Sequence, residues 1–187
     1  MSAQSETTRS SSRKSGTSAR GAARLLAVQA LYQMYIRGGT AEATVLEFIQ
    51  HRTDPPATDD PEEDAGPRDA DKALFANLVQ GVERDREDLT SALDGCLETG
   101  NTMGRLEPLL RAILAAGAYE LCSRDDIPTR VVISEYVHLT DAFFEGKEPG
   151  LVNAVLDRLA RVVRGGDESL SKTTADGPPE TDHGASR

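Results

Sequence analysis

The stretch from Leu106 to Cys122 limits what this chain can fold into more than any other part of it. Leu106, Leu109, Leu110, Ile113, Leu114 and Leu121 recur along it at helical spacing, and Ala112, Ala115, Ala116, Gly117 and Ala118 fill the gaps. Apolar residues in that pattern form a helix with almost no polar face. Such a helix has to be covered on most sides, and its small residues let neighbouring helices come close. The sequence therefore predicts a central buried helix with others packed around it.

The flanking segments agree. Leu25, Val28, Tyr32 and Tyr35 predict a first helix with this stripe inward, stopped by Gly38-Gly39. A short helix over about 41–50 is expected to bury Val45, Phe48 and Ile49. Leu74, Leu78, Val82, Leu89, Leu93 and Leu97 predict a long or broken helix ending near Gly100. Gly81 and the charged run Glu83-Arg84-Asp85-Arg86 allow a kink there, although the run reads better as a solvated face. Pro128 suits the first turn of the next helix, whose stripe is Val132, Tyr136, Leu139 and Phe143 and which Gly146 ends. Asp125-Asp126, just before it, favour that N-terminus by capping and by charge. Pro149 opens the last helix, with Val152, Val155, Leu156, Leu159 and Val163 inward and Gly165-Gly166 as its stop. No alternating strand pattern runs for more than a few residues. The predicted fold class is all-α, with six or seven helices.

Charge divides the chain further. The 31 acids outnumber the 21 bases, for a net charge of −10, but they are not spread evenly. Arg9, Arg13, Lys14 and Arg20 against Glu6 make the start basic, whereas 54–72 carries eight acids against two bases. The polar, low-complexity ends cannot bury enough apolar surface to order themselves. The expected organisation is a disordered basic arm over 1–18, a helical domain over 19–165 with an acidic linker within 53–70, and a disordered acidic tail over 166–187. No run reaches the ~18 apolar residues of a membrane span, and no apolar core follows the N-terminus as in a secretory signal. A cytoplasmic protein without membrane association is expected.

Signals for catalysis are missing. Cys96 and Cys122 lack metal-ligand spacing, and Cys122 reads as a small core residue. His51, His138 and His183 have no Cys, His or carboxylate at ligand spacing. The acids at 59–64 lack the alternating pattern and turn glycine of a calcium loop. No glycine-rich phosphate loop joins a strand to a helix. The expectation is no enzyme, no cofactor and no metal.

The basic end offers a different chemistry. Arg20 and Arg24 are four residues apart and share one face at the start of the first helix, where positive charge opposes the helix dipole. With Arg13 and Lys14 in the arm they form a cationic strip suited to phosphates. Gln29 and Tyr32 add base-edge and stacking contacts if exposed. The same residues admit a plainer reading, in which the arginines solubilise a helix end and Tyr32 is core.

Three blocks resemble the NusB family of transcription antitermination proteins. They are Ala23-Arg24-Leu25-Leu26-Ala27-Val28-Gln29-Ala30-Leu31-Tyr32; Leu110-Arg111-Ala112-Ile113-Leu114 through Tyr119-Glu120-Leu121 and Ile127-Pro128 to Val132-Ile133-Ser134-Glu135; and Glu148-Pro149-Gly150-Leu151-Val152-Asn153-Ala154-Val155-Leu156-Asp157-Arg158. The resemblance spans roughly residues 20–165. It implies a NusB-like fold of two small packed helical bundles. It also implies binding of boxA RNA as a heterodimer with the small-subunit ribosomal protein NusE, within an antitermination complex of RNA polymerase and other Nus factors. The family's RNA contacts cluster at the arginine-rich start, here Arg20 and Arg24. The chain departs from the family pattern with Gly21 and Ala22 in place of arginines, with Ala115 after Ile113-Leu114, and with Leu151-Val152-Asn153-Ala154. Tyr119, Glu120 and Leu121 are expected to serve packing, and Asn153 to satisfy a neighbouring loop. A protein-interaction adaptor with weak or no RNA binding is the alternative function. A piece of an RNA methyltransferase, whose strand–helix units would come after such a helical domain, is not expected.

Deleting residues 167–187 is expected to leave the thermal midpoint nearly unchanged, since little apolar surface is removed. A calorimetric drop of many degrees would contradict this.

Overall fold

A computed structural model describes residues 18–53 and 70–165. The predicted arm, most of the acidic linker and the tail lie outside the described residues. Within them the regular elements are all helical: α1 (Ala19–Arg37), α2 (Ala41–Phe48), α3 (Lys72–Arg84), α4 (Arg86–Cys96), α5 (Pro108–Ser123), α6 (Thr129–Asp141) and α7 (Glu148–Arg164). A π-helical turn (Ile49–Thr53) follows α2, and a 3-10 turn (Met103–Arg105) precedes α5. The chain divides into two compact units, the first ending at Glu83 and the second beginning at Arg84.

The first unit is built on α1. Ser18 caps it, its hydroxyl accepting from the Gly21 amide at 3.0 Å. The buried side of α1 mixes small and large residues: Ala22, Ala23, Ala27 and Ala30 stand among Leu26, Val28, Leu31 and Met34. Gly38 and Gly39 both have positive φ, 75° and 112°, so the chain reverses there in a conformation that side chains disfavour. Thr40 then caps α2, accepting from Ala43 N at 3.3 Å. Phe48 and Phe75 stack with centroids 5.9 Å apart, joining the end of α2 to α3. The Asp71 amide donates to Ala19 O at 3.0 Å and ties the lead into α3 to the start of α1.

The second unit surrounds α5, on which eleven consecutive or near-consecutive residues from Leu110 to Leu121 are buried. Gly117 marks the closest approach, because a Cβ there would stand 2.9 Å from Leu156 Cδ1 and 3.2 Å from Tyr136 Cδ2. Beside it Glu120, fully buried, accepts from the Tyr136 hydroxyl at 2.9 Å. The far end of α5 is closed by Arg164. Its guanidinium donates to the carbonyls of Leu121 (2.7 Å), Ile127 (2.8 Å), Arg124 (2.7 Å) and Glu120 (3.2 Å). These include carbonyls that a helix end leaves without partners. Arg158 likewise donates to Cys96 O at 2.9 Å, at the end of α4.

Several expectations need correction. In α1 the inward stripe is not Leu25, Val28, Tyr32 and Tyr35: only Val28 is fully buried, and Tyr32 is 39% exposed. The break between α3 and α4 falls at Asp85, inside the charged run, while Gly81 is buried within α3. Asp85 takes two hydrogen bonds from Arg84, which lower its carboxyl below the usual range. α6 ends at Asp141, before Gly146, so Phe143 leaves the stripe and is 44% exposed. Thr140 takes the inward position instead, its hydroxyl donating to Tyr136 O. Val163 is exposed, and so is Cys122, while Cys96 is buried. Asp126 pairs with Arg124, and no side chain caps α6.

Ile113→Ala is expected to cost about 2–5 kcal/mol, since a fully buried side chain leaves a cavity. Arg164→Met should cost about 1.5–3 kcal/mol through loss of charge-assisted bonds to carbonyls. Denaturant titration of both variants measures these. A loss below about 1 kcal/mol in either would contradict the packing described.

Candidate nucleic-acid interface

The sequence singled out Arg13, Lys14, Arg20, Arg24, Gln29 and Tyr32. Arg13 and Lys14 lie outside the described residues. The other four are all on α1, but they do not form one strip. Arg20 is exposed at the first turn. Arg24, expected beside it in solvent, is only 3% exposed and is not left unpaired. The two share a side of the helix, as their spacing requires, but that side turns inward after one turn.

Gln29 and Tyr32 belong to another face. At about 100° per residue, Tyr32 is displaced by about 120° and Gln29 by about 180° from Arg20 around the axis. They join Leu25, Gln33 and Ile36 in a stripe of intermediate or exposed residues along α1. Ile36 is 56% exposed. Gln33, which the sequence reading passed over, donates its Nε2 to Glu47 Oε2 at 3.1 Å and links this face to α2. Its signal was the four-residue step from Gln29. The result is an uncharged aromatic–amide face, with Arg20 near one end of the helix and Arg37 exposed at the other.

That composition suits nucleic-acid bases better than phosphates. Tyrosine offers a ring on which a base stacks, and glutamine offers a donor and an acceptor to a base edge. Arg20 is the described cation of the predicted strip that remains available to a phosphate.

In the second unit, the family-like residues serve packing. Tyr119, Glu120 and Leu121 are 3%, 0% and 0% exposed. The Arg84 guanidinium lies 5.9 Å from the Tyr119 ring centroid. Asn153 departs from its expected role: it is exposed and lines a groove of about 360 Å³ with Thr129, Ser134 and Asp157. His138 is an exposed residue of the α6 surface. Among the described residues, no group of three or more His, Cys, Asp or Glu side chains is placed to hold a metal ion. No helix among them is long and apolar enough to cross a membrane.

Comparison with known proteins decides the family. The NusB family model matches residues 21–161. The chain belongs to the NusB family. It is 48% identical over 146 residues to the transcription antitermination protein NusB of Bradyrhizobium sp. (strain ORS 278), covering 78% of this chain and 84% of that protein. It is 45% identical over 148 residues to the NusB of Sinorhizobium fredii, covering 78% and 88%. Among solved structures, T. maritima NusB superposes with a TM-score of 0.61 at 23% identity, covering 76% of this chain and 90% of that one. A second, of the antitermination factors NusB and NusE in complex with dsRNA, gives 0.59 at 23% identity, covering 77% and 97%. These likenesses establish the NusB fold, and the all-α expectation is met.

Arg20→Ala should leave the thermal midpoint unchanged, whereas Arg24→Ala should cost on the order of 1–3 kcal/mol, as for a buried polar group whose partner is removed. Equal midpoints for the two variants would show that Arg24 is in solvent after all.

Proposed function

We propose that this NusB-family protein is a transcription antitermination factor that binds the boxA element of nascent transcripts, notably ribosomal RNA, as a heterodimer with the ribosomal protein NusE. The observation that carries this reading is the 48% identity over 146 residues to a transcription antitermination protein. The solved complex of NusB and NusE with dsRNA, similar in fold, supports both partners. On this reading the heterodimer works in the cytoplasm with RNA polymerase and the other Nus factors. The chemistry is binding, without catalysis, cofactor or metal.

The α1 face suggests how the contact is divided. Tyr32 stacks on a base, Gln29 meets a base edge, and Arg20 holds a phosphate, with Arg13 and Lys14 adding phosphate contacts from the arm. Phosphate contacts set position and stacked bases set register on a single strand. A chain with a net charge of −10 repels RNA at long range, so the partner is assigned much of the phosphate attraction. The burial of Arg24 favours a second reading, in which this chain is a protein-interaction adaptor with weak or no RNA binding of its own.

Fluorescence anisotropy with boxA-like RNA, with and without NusE, separates the two. The antitermination reading expects binding that strengthens with NusE. Tyr32→Ala should weaken it about tenfold or more, at roughly 1–3 kcal/mol per stacked base. Arg20→Ala should flatten the slope of log affinity against log salt by about 0.7. No RNA affinity from this chain beyond that of NusE alone would leave the adaptor reading.

A further inference from the structure

We infer that Arg37 holds the phosphate of the nucleotide whose base stacks on Tyr32. The inference rests on the RNA-binding reading above and adds to it a cation that lies outside the basic start of the chain. Gln29, Gln33 and Arg37 follow one another at four-residue steps, so Arg37 continues the amide row of α1 into its last turn. It is exposed, as are Gly38, Gly39 and Thr40 after it. A Cβ at Gly38 would meet nothing within 4 Å, so the described residues leave the space beside Arg37 open. Several arginines of the second unit are engaged within the fold: Arg84, Arg124 and Arg161 pair with carboxylates, and Arg105, Arg158 and Arg164 donate to carbonyls. Among the described residues, none pairs with the Arg37 guanidinium.

Position along the helix separates Arg37 from Arg20. At 1.5 Å per residue, Arg37 stands about 7.5 Å along the axis from Tyr32, and Arg20 about 18 Å. A side chain of arginine length spans the first distance and not the second. The phosphate of a nucleotide stacked on Tyr32 is therefore within reach of Arg37, and Arg20 is left for a phosphate further along the strand. Around the axis, Gln29 and Gln33 lie between Tyr32 and Arg37. A nucleotide lying across this face sets its base on the ring and its phosphate at Arg37, where the guanidinium fork matches two phosphate oxygens. The helix dipole also favours a cation in the last turn of α1. If Arg37 served only the dipole, its removal would lower the melting temperature slightly and leave the salt dependence of RNA binding as it was.

Labelled boxA-like RNA is the probe, measured by anisotropy over a series of salt concentrations with the full chain and NusE. Arg37→Ala should weaken binding about tenfold at low salt, the value of one charge-assisted hydrogen bond. It should also flatten the slope of log affinity against log salt by about 0.7, whereas Arg37→Lys, which keeps the charge, should keep the slope. In the double variant Tyr32→Ala, Arg37→Ala the loss should be smaller than the product of the two single losses, because both residues hold one nucleotide. Tyr32→Ala with Arg20→Ala should instead be additive, since those side chains meet different nucleotides. Circular dichroism melts check that each variant keeps its fold. An unchanged salt slope in Arg37→Ala, or full additivity between Arg37 and Tyr32, overturns the assignment of Arg37 alone, provided the wild type binds the RNA. Loss of NusE binding by Arg37→Ala in the absence of RNA also overturns it, by moving Arg37 to the protein interface. If wild-type protein adds no RNA affinity to that of NusE, the RNA reading falls and the Arg37 assignment falls with it.

Discussion

The second unit depends on one close approach. Gly117 sits where a Cβ would press on Leu156 and Tyr136, so α6 and α7 cover the middle of α5 more closely than a side chain there would allow without a shift. Contact at this distance places the Tyr136 hydroxyl against the buried Glu120 side chain, which accepts its hydrogen bond. It also sets α7 in the register that brings Arg164 onto the carbonyls at the end of α5. A helix as apolar as α5 has no exposed face on which to build an RNA site. The family-like residues Tyr119, Glu120 and Leu121 are accordingly inside it.

The first unit solves the opposite problem. α1 buries Gly21 and four alanines beside Leu26, Val28, Leu31 and Met34, and still leaves large residues on the surface. Tyr32 and Ile36 are exposed on a helix that could have turned them inward, and the amides of Gln29 and Gln33 share their stripe. A face of this kind offers stacking area and hydrogen-bonding groups with no charge of its own. In a chain with a net charge of −10, it suits a ligand delivered by a basic partner better than one captured from solution by charge alone.

The sequence showed the fold more clearly than the site, for physical reasons. α5 was legible because its apolar residues leave only one arrangement, and the α1 stop was legible because Gly38-Gly39 takes positive φ. The helix break was legible only as a region, because a glycine can sit inside a helix when packing supports it, as Gly81 does, while a side chain pairing with its neighbour, as Asp85 does with Arg84, is not visible in periodicity. The inward stripe of α1 was misread because size was weighted over spacing: Tyr32 and Tyr35 drew attention from the alanines that face the core. Spacing placed Arg20 and Arg24 on one side of the helix but carried no information on whether that side meets solvent. Gln33 became visible only through Glu47, fourteen residues away on another helix.

On the proposed reading, RNA bases meet the aromatic–amide face of α1, Arg20 meets a phosphate, and the buried Arg24 meets neither. Amide chemical-shift mapping by NMR, with labelled protein in complex with NusE and titrated with boxA-like RNA, tests it most directly. The largest shifts should fall on Gln29, Tyr32, Gln33 and Ile36, with Arg20 at the margin and the α5 backbone unmoved. Shifts that leave this stripe unchanged and gather on α6 and α7, around Asn153, would contradict it.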